Sequence, residues 1–266
     1  MTKATLGVML GVLLGGCGSS GESTGGAPAT DLTVVLSAST QSYQHSDDLS
    51  GQTARSVRAG VRSLTLIDES SGASWQLFDH GPGGQEVSWD DGAATAIATI
   101  PPSDVVAGHY TRARMVQDWS RYTIDATLHD GTDAVAGSLS GLQVTSDGAV
   151  VDGSARPQGY YEQTFTAPGV DKTFSGDDAP LPSESKTAEA EAVIENGQWA
   201  VYFPVDVTVA DGKTGVLTVR ANMNDAYRWD DLPGPGFEDA VYDFAPPLYE
   251  PVAQFGGNRF DVTLSP

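Results

Sequence analysis

The sequence predicts an all-β protein, an antiparallel β-sandwich of ten or more strands, and three observations carry this prediction. Turn dipeptides recur along the chain, apolar and polar residues alternate between them, and no segment shows a convincing helical period. These dipeptides favour tight hairpins because glycine, asparagine and aspartate tolerate positive φ. They are Asp91-Gly92, Asp130-Gly131, Asp147-Gly148, Asp152-Gly153, Asn196-Gly197 and Asp211-Gly212.

The strands follow from alternation along the chain. In the runs 32–37 and 122–129, apolar residues occupy every second position, which is typical of a sheet with one buried face and one wet face. The remaining early and late runs are less regular but rich in β-branched and aromatic residues. Further strands are predicted at 61–67, 74–78, 94–100, 110–117, 139–145, 160–166 and 260–264.

The clearest strand runs from Trp199 to Val209, where six apolar residues recur at period two. A two-residue turn at Asn196-Gly197 pairs this strand with the run 188–194. The predicted pairs are Glu195 with Gln198, Ile194 with Trp199, Ala192 with Val201 and Ala190 with Phe203.

The next strand after Val209 should continue the same sheet. An odd-length loop around Asp211-Gly212 brings Leu217, Val219 and Ala221 to the valine face and keeps Arg220 off it. We predict that loop length. We also predict one sandwich domain over residues 31–266, with the Pro-, Asp- and Ser-rich stretch 168–186 as the candidate sub-boundary.

The first 30 residues look like an export signal followed by a spacer. Lys3 precedes an apolar run too short to span a bilayer, and Cys17, the single cysteine, follows it. The stretch Leu14-Gly15-Gly16-Cys17 resembles the lipobox of bacterial lipoprotein precursors. That resemblance, confined to residues 1 to about 20, implies a signal peptide over 1–16 and a lipidated Cys17 carrying acyl chains such as palmitate.

The same resemblance implies a location. Residues 17–30, rich in Gly, Ser, Thr, Ala and Pro, then form a flexible tether. Gly18 stands where Asp favours retention in the inner membrane, so the outer membrane is the expected site. The alternative is a plain secreted protein cleaved near the same point.

The amino-acid composition limits the classes of partner that this protein is expected to bind. The 35 acidic residues exceed the 14 basic ones, giving a formal net charge of −21, which disfavours nucleic acid and anionic lipid surfaces. With Cys17 lipidated, no disulfide can hold the domain, so a core or a metal must stabilise it. The expected partners are the membrane through its lipid anchor and a glycan or an envelope protein.

No catalytic motif stands out. The segment Gly137-Ser138-Leu139-Ser140-Gly141 has Leu139 where a serine hydrolase carries its nucleophile, and the four histidines are scattered. We therefore expect a non-enzymatic protein. A hydrolase with two unrecognised carboxylates is an alternative, because such a pair is defined by geometry rather than by sequence order.

The richest polar segment lies between residues 222 and 243. Oxygen-bearing side chains there suit Ca²⁺, and two aromatic residues among them suit a sugar ring, although the spacing departs from an EF-hand. The predicted metal ligands are Asn222, Asn224, Asp225, Asp230, Asp231 and Asp239. The predicted ligand-binding residues are Tyr227 and Trp229. The competing interpretation is that these polar groups cap turns while the aromatic residues pack beneath them.

Two smaller features of the sequence are an acidic turn and a cluster of arginines. Asp90 and Asp91 follow Trp89 in what looks like a turn, and three arginines cluster at Arg55, Arg58 and Arg62. We expect the arginines to pair with the protein's own carboxylates rather than with lipid phosphates. The leading interpretation is an envelope lipoprotein whose sandwich binds or assembles at the cell surface or in the periplasm, with a calcium-assisted carbohydrate-binding module as the first alternative.

Overall fold

The computed structural model describes residues 31–131, 133–181, 184–186, 189–234 and 236–266, with backbone only for 184–186. The predicted signal peptide, Cys17 and the predicted tether therefore lie outside the described residues. Within the described part, regular structure is almost all strand, with one 3₁₀ helix at Pro102–Asp104. The strands are β1 Leu32–Ser39, β2 Ser50–Gln52, β3 Ser56–Ile67, β4 Ser74–Asp79, β5 Gln85–Ser88, β6 Ala94–Ile100, β7 Gly108–Asp130, β8 Asp133–Val144, β9 Ala149–Val151, β10 Ser154–Arg156, β11 Tyr161–Ala167, β12 Val170–Gly176, β13 Glu184–Lys186, β14 Glu191–Glu195, β15 Gln198–Val209, β16 Gly215–Asn222, β17 Tyr227–Trp229, β18 Asp243–Ala245, β19 Leu248–Tyr249, β20 Val252–Phe255 and β21 Phe260–Ser265.

A large sheet and a small sheet form the sandwich, which confirms the predicted all-β class. The large sheet contains twelve strands in the described chain and is built around β7. One edge of β7 pairs first with β15 and then with β8, and the other pairs with β3 and then with β18. The small sheet has the order β21-β16-β1-β6 and packs over the β3 and β15 end of the large one.

The strand β7 crosses two separate apolar regions. Its first half contributes Tyr110, Ala113 and Met115 to the sandwich core, the cluster of buried residues between the two sheets. Its second half contributes Tyr122 and Leu128 to a second cluster, which we call the aromatic core. The members of the aromatic core are Tyr122, Ile124, Ala126, Leu128, Leu139, Phe165, Tyr227, Trp229, Tyr242 and Phe244.

A double bulge lies between these halves. Gly60 pairs with Trp119 and Val61 with Gln117, so the ladder skips Asp118. The skipped Asp118 is fully buried, and Arg62 Nε donates to its carboxylate at 2.9 Å. A bulge that turns a charged group into the protein has to supply partners for it, and here Arg62 and the Gly83 N–H do so.

The strand predictions are confirmed in position. Each of the runs 61–67, 74–78, 94–100, 139–145, 160–166 and 260–264 overlaps an observed strand. The two predicted strands 110–117 and 122–129 are instead parts of one 23-residue strand, β7. They are joined because the bulge shifts the register without ending the ladder.

The predicted hairpin before Trp199 is also confirmed. Asn196 and Gly197 both have positive φ, 51° and 73°, as a two-residue turn of the I′ type requires. The register pairs Glu195 with Gln198, Ile194 with Trp199 and Ala192 with Val201. The fourth predicted pair, Ala190 with Phe203, falls outside the ladder because β14 begins at Glu191.

The prediction for the following strand was right about facing and wrong about pairing. The loop 210–214 has an odd length, Leu217 and Val219 are fully buried, and Arg220 is exposed. However, β16 pairs with β1 in parallel and with β21, not with β15. The chain crosses to the small sheet, so its apolar face meets the valine face of β15 across the sandwich core.

The Pro-rich stretch 168–186 contains two strands rather than only a loop. β12 and β13 lie at opposite ends of the main strand order of the large sheet. Among the described residues, no helix is long and apolar enough to cross a membrane.

Candidate functional site

The first half of the predicted calcium site is a hydrogen-bonded joint. Asn222 Oδ1 accepts from Asn224 N at 3.1 Å and from Asn258 Nδ2 at 3.2 Å. Asp225 Oδ1 accepts from Thr53 Oγ1 at 3.0 Å. These contacts connect the end of β16 to the segments near residues 53 and 258. The oxygens that were predicted to bind metal are therefore used by protein donors.

Asn224 extends the same joint to a third segment. Its Oδ1 accepts from Tyr43 N at 2.9 Å, and Asn222 Nδ2 donates to Gln41 O at 2.8 Å. Deeper along β17, the buried Arg228 pairs with Asp47 and donates from Nη2 to Leu49 O at 2.7 Å. The long connection between β1 and β2 is thereby held against β16 and β17.

The second half of the predicted site is separate from the first. Asp231 Oδ1 accepts from Trp229 Nε1 at 3.0 Å, and its Oδ2 accepts from Ser50 Oγ at 2.5 Å. Asp230 and Asp239 are exposed. Among the described residues, no three His, Cys, Asp or Glu side chains are grouped so that they can hold a metal. The structure thus does not gather the predicted calcium ligands into one site.

Tyr227 and Trp229 are core residues in this structure, which corrects their predicted position at a sugar-binding surface. Tyr227 is 2% exposed and Trp229 0%. The Tyr227 ring lies 5.2 Å from that of Tyr122, and Trp229 meets Tyr242 edge to face at 5.6 Å. Burial raises the pKa of Tyr227 well above its ordinary value. Both rings face inward because the large sheet covers β17, so neither presents a face on which a sugar can stack.

Acidic residues fasten the chain that covers the aromatic core. Asp243 is fully buried, and its Oδ1 lies 2.7 Å from His129 Nε2 while its Oδ2 accepts from Glu238 N at 2.7 Å. Glu250 accepts from Leu232 N at 3.0 Å and from Asp243 N at 2.8 Å. Burial raises the pKa of the Glu250 carboxyl. These carboxylates satisfy backbone donors that a regular ladder satisfies elsewhere.

A cleft opens where the small sheet ends and this cover begins. We call it the junction cleft, and it has two adjacent chambers. The inner chamber is about 40 Å³ and lies against Met115, Trp199 and Phe260. The outer chamber is about 230 Å³ and is lined on its inner side by Ala54 and Ala226. Four residues border both chambers: Val57, Trp89, Met223 and Phe255.

The outer chamber has a polar mouth formed by Thr40, Thr53, Arg55, Asp90 and Asp91. Asp90 is saturated, since Oδ1 accepts from Val57 N at 2.8 Å and Oδ2 lies 3.0 Å from Arg58 Nη1. Asp91 Oδ1 accepts from Thr40 N at 2.8 Å, and within the described chain its Oδ2 has no hydrogen bond or ion pair.

The arginine cluster behaves as predicted. Arg55 pairs with Asp125, Arg58 with Asp90 and Arg62 with Asp118. The expectation that these arginines meet the protein's own carboxylates is confirmed. Because Arg55 is engaged outside the chamber, the mouth keeps an excess of negative charge.

The cleft lies at the far end of the sandwich from the start of the described chain. Asp31 O accepts from Gly215 N at 3.5 Å, at the beginning of β1 and β16. The cleft residues Thr40 and Met223 follow the ends of these same strands. Eight residues at about 3.3 Å each separate the two ends by roughly 26 Å.

Sequence reasoning missed this cleft because its walls come from five separated segments, near residues 40, 55, 90, 225 and 255. The only local signal was the Trp89-Asp90-Asp91 turn, which has the form of an ordinary acidic turn. A comparison of the chain with protein-family models, with curated proteins and with solved structures finds no match.

Proposed function

We propose that this chain is an exported bacterial lipoprotein, anchored in the outer membrane through acyl chains on Cys17, whose sandwich binds a small ligand in the junction cleft. The lipobox-like stretch before Cys17 supports the anchor. The outer chamber, an apolar cavity of about 230 Å³ with a polar mouth, is the observation that carries the binding role.

The position of the cleft supports the same proposal. A tether that precedes Asp31 reaches the sandwich at the end opposite the cleft, about 26 Å away. A tether attached at that end does not cover the mouth. The mouth is therefore open to a ligand from the surrounding space or from a neighbouring envelope component.

The cleft chemistry favours binding over bond cleavage. At the mouth, Asp90 is held by Val57 N and Arg58, and Arg55 is held by Asp125. These groups are fixed in structural contacts, so the cleft chiefly offers apolar volume, with the Asp91 carboxylate and the Thr40 hydroxyl at its edge. No specific contact favours the calcium-assisted glycan module, because Trp229 is buried.

The anchor is tested by labelling the full chain with radioactive palmitate in a bacterial host. The expected result is label in the membrane fraction for the natural chain and none for Cys17→Ser. Equal labelling of both chains, or none of either, overturns the anchor.

The cleft is tested by calorimetry on the purified full chain with phenethyl alcohol, a neutral probe of one ring. We expect a Kd of about 1 mM or tighter, given the few atoms involved. Ala54→Phe fills the outer chamber and should abolish this heat. Val106→Phe is the matched control, because Val106 is exposed near the opposite end. Binding that survives Ala54→Phe, or no binding by the natural chain, overturns the proposed site.

A further inference from the structure

The outer chamber is of a size that defines its occupant. Its volume of about 230 Å³ exceeds the roughly 150 Å³ of an engineered apolar cavity that holds benzene. One ring with a short side chain therefore fits in this chamber. The inner walls, including Val57, Trp89, Met223 and Phe255, are apolar and give the ring its contacts.

The mouth of the chamber carries one negative charge that is not paired with a cation. Of its three charged groups, Arg55 is paired with Asp125 and Asp90 with Arg58. Asp91 remains, exposed, with Oδ1 held by Thr40 N and Oδ2 without a hydrogen bond or ion pair among the described residues. A protonated amine that enters with its apolar body in the chamber finds this carboxylate at the edge. An anionic ligand meets the same carboxylate as a repulsive charge.

The overall charge of the molecule acts in the same direction. The formal net charge of −21 raises the local concentration of cations around the protein and lowers that of anions. Chamber size, mouth charge and overall charge thus select one class of molecule.

We infer that the ligand of the junction cleft is a small amphipathic amine, with an apolar body of one ring and a protonated nitrogen directed to Asp91. This inference rests on the proposed function, since it assumes that the cleft binds a ligand at all. It adds the chemical class of the ligand and identifies Asp91 as the residue that distinguishes a cationic ligand from an anionic one.

Three probes of equal ring size test the inference by calorimetry on the full chain at neutral pH: phenethylamine, phenethyl alcohol and phenylacetate. We expect the amine to bind about threefold more tightly than the alcohol and about tenfold more tightly than the carboxylate. These factors follow from a partly exposed charge pair that is attractive for one probe and repulsive for the other.

Asp91→Asn should reduce the amine to the affinity of the alcohol and leave the alcohol unchanged. Asp133→Asn is the control, since it removes an exposed acid at the first position of β8 without touching the cleft. If the alcohol binds and the amine binds no better, or if Asp91→Asn leaves the amine affinity unchanged, the inference fails and the proposed function stands. If none of the three probes binds, both fail.

Discussion

The two cores on β7 are covered in different ways. Above the sandwich core lie strands of six to eight residues, namely β1, β6, β16 and β21. Above the aromatic core lie the short strands β17 and β20 and irregular chain, while β18 and β19 join the edge of the large sheet. The first cover satisfies its backbone through long ladders, whereas the second combines the short ladder of β2, β17 and β20 with side-chain acceptors such as Asp243 and Glu250.

The composition of each core matches its cover. Six of ten buried residues in the aromatic core are aromatic, against six of 29 in the sandwich core. Large rings give much contact area per residue, so a few of them can hold a cover that lacks a long ladder. The comparison shows that the aromatic core is held to its cover mainly by local side-chain contacts. We therefore expect this region to unfold locally more readily than the sandwich core. The cleft lies where these two kinds of cover meet.

The largest expected effect comes from Trp229→Ala. Deleting a fully buried indole should cost about 3–5 kcal/mol in the free energy of unfolding. The loss should be local, because the ring contacts the cover directly. Hydrogen exchange should then show protection falling in β17 and β20 while β1 and β16 keep theirs.

Leu36→Ala is the matched variant in the sandwich core, where Leu36 is fully buried. It should cost about 2–5 kcal/mol and lower protection in both regions, because opening the sandwich exposes the support of the cover. If Trp229→Ala lowers protection uniformly along the chain, the two regions unfold as one unit and the comparison fails.

A smaller effect is expected at Gly141, because a side chain at this position would collide with a ring of the aromatic core. A Cβ at this position on β8 lies within 2.6 Å of Tyr122 Oη and overlaps the ring. Gly141→Ala should therefore displace the ring and cost about 1–3 kcal/mol in urea unfolding. Ser140→Ala, on the opposite face of the same strand, should change stability by less than about 0.5 kcal/mol. Equal effects for the two variants would show that the ring does not depend on the glycine.

Gly141 also shows what a motif search can and cannot find. The Gly137 to Gly141 segment resembles a nucleophile elbow only by spacing, and its Leu139 excludes that chemistry. In the fold, Gly137 lies under the ring of Phe165 and Gly141 under that of Tyr122. The two glycines leave room for aromatic rings to pack against the strand, and the local sequence does not indicate this contact.

The sandwich was predictable because its signals are local. Alternation identified β1, the second half of β7 and β15, and the Asn196-Gly197 turn fixed the register of β14 on β15. The partner of β16 was not predictable, since a turn determines only the geometry of adjacent residues and says nothing about a crossover to another sheet. The facing of β16 was nevertheless predictable, because burial follows period two whichever sheet the strand joins.

The aromatic region and the cleft were harder to predict from the sequence, for a physical reason. Strands of two to four residues are too short to show a period, so residues 222–243 look like a polar loop. Their carboxylates were interpreted as metal ligands because acceptor groups look alike in sequence whether they hold a cation or a backbone N–H. The competing interpretation, turn caps above packed aromatic residues, describes the observed contacts of Asp231, Asp243 and Glu250.

The smallest predicted effect compares one acid from each region. In the sandwich, Asp68 is half-buried at the start of an exposed turn, and hydrogen bonds from Ser70 and Ser71 lower its pKa from 3.8 to about 2. In the aromatic region, burial raises the pKa of Glu250 above 4.5. A lowered acid pKa contributes stability above pH 3.8 that is lost as the pH falls toward 2. A raised one contributes stability below pH 4.5 that is lost as the pH rises through its folded pKa.

Urea unfolding of Asp68→Asn and Glu250→Gln across pH checks both signs. The advantage of the natural chain over Asp68→Asn should shrink as the pH falls from about 4 toward 2. Relative to the natural chain, Glu250→Gln should gain stability as the pH rises from about 4.5 to 7, apart from a pH-independent offset for its altered hydrogen bonds. Parallel pH profiles for both variants would mean that the two acids have the same environment. Opposite profiles follow if hydrogen bonds at an exposed turn control Asp68 and burial beneath an irregular cover controls Glu250.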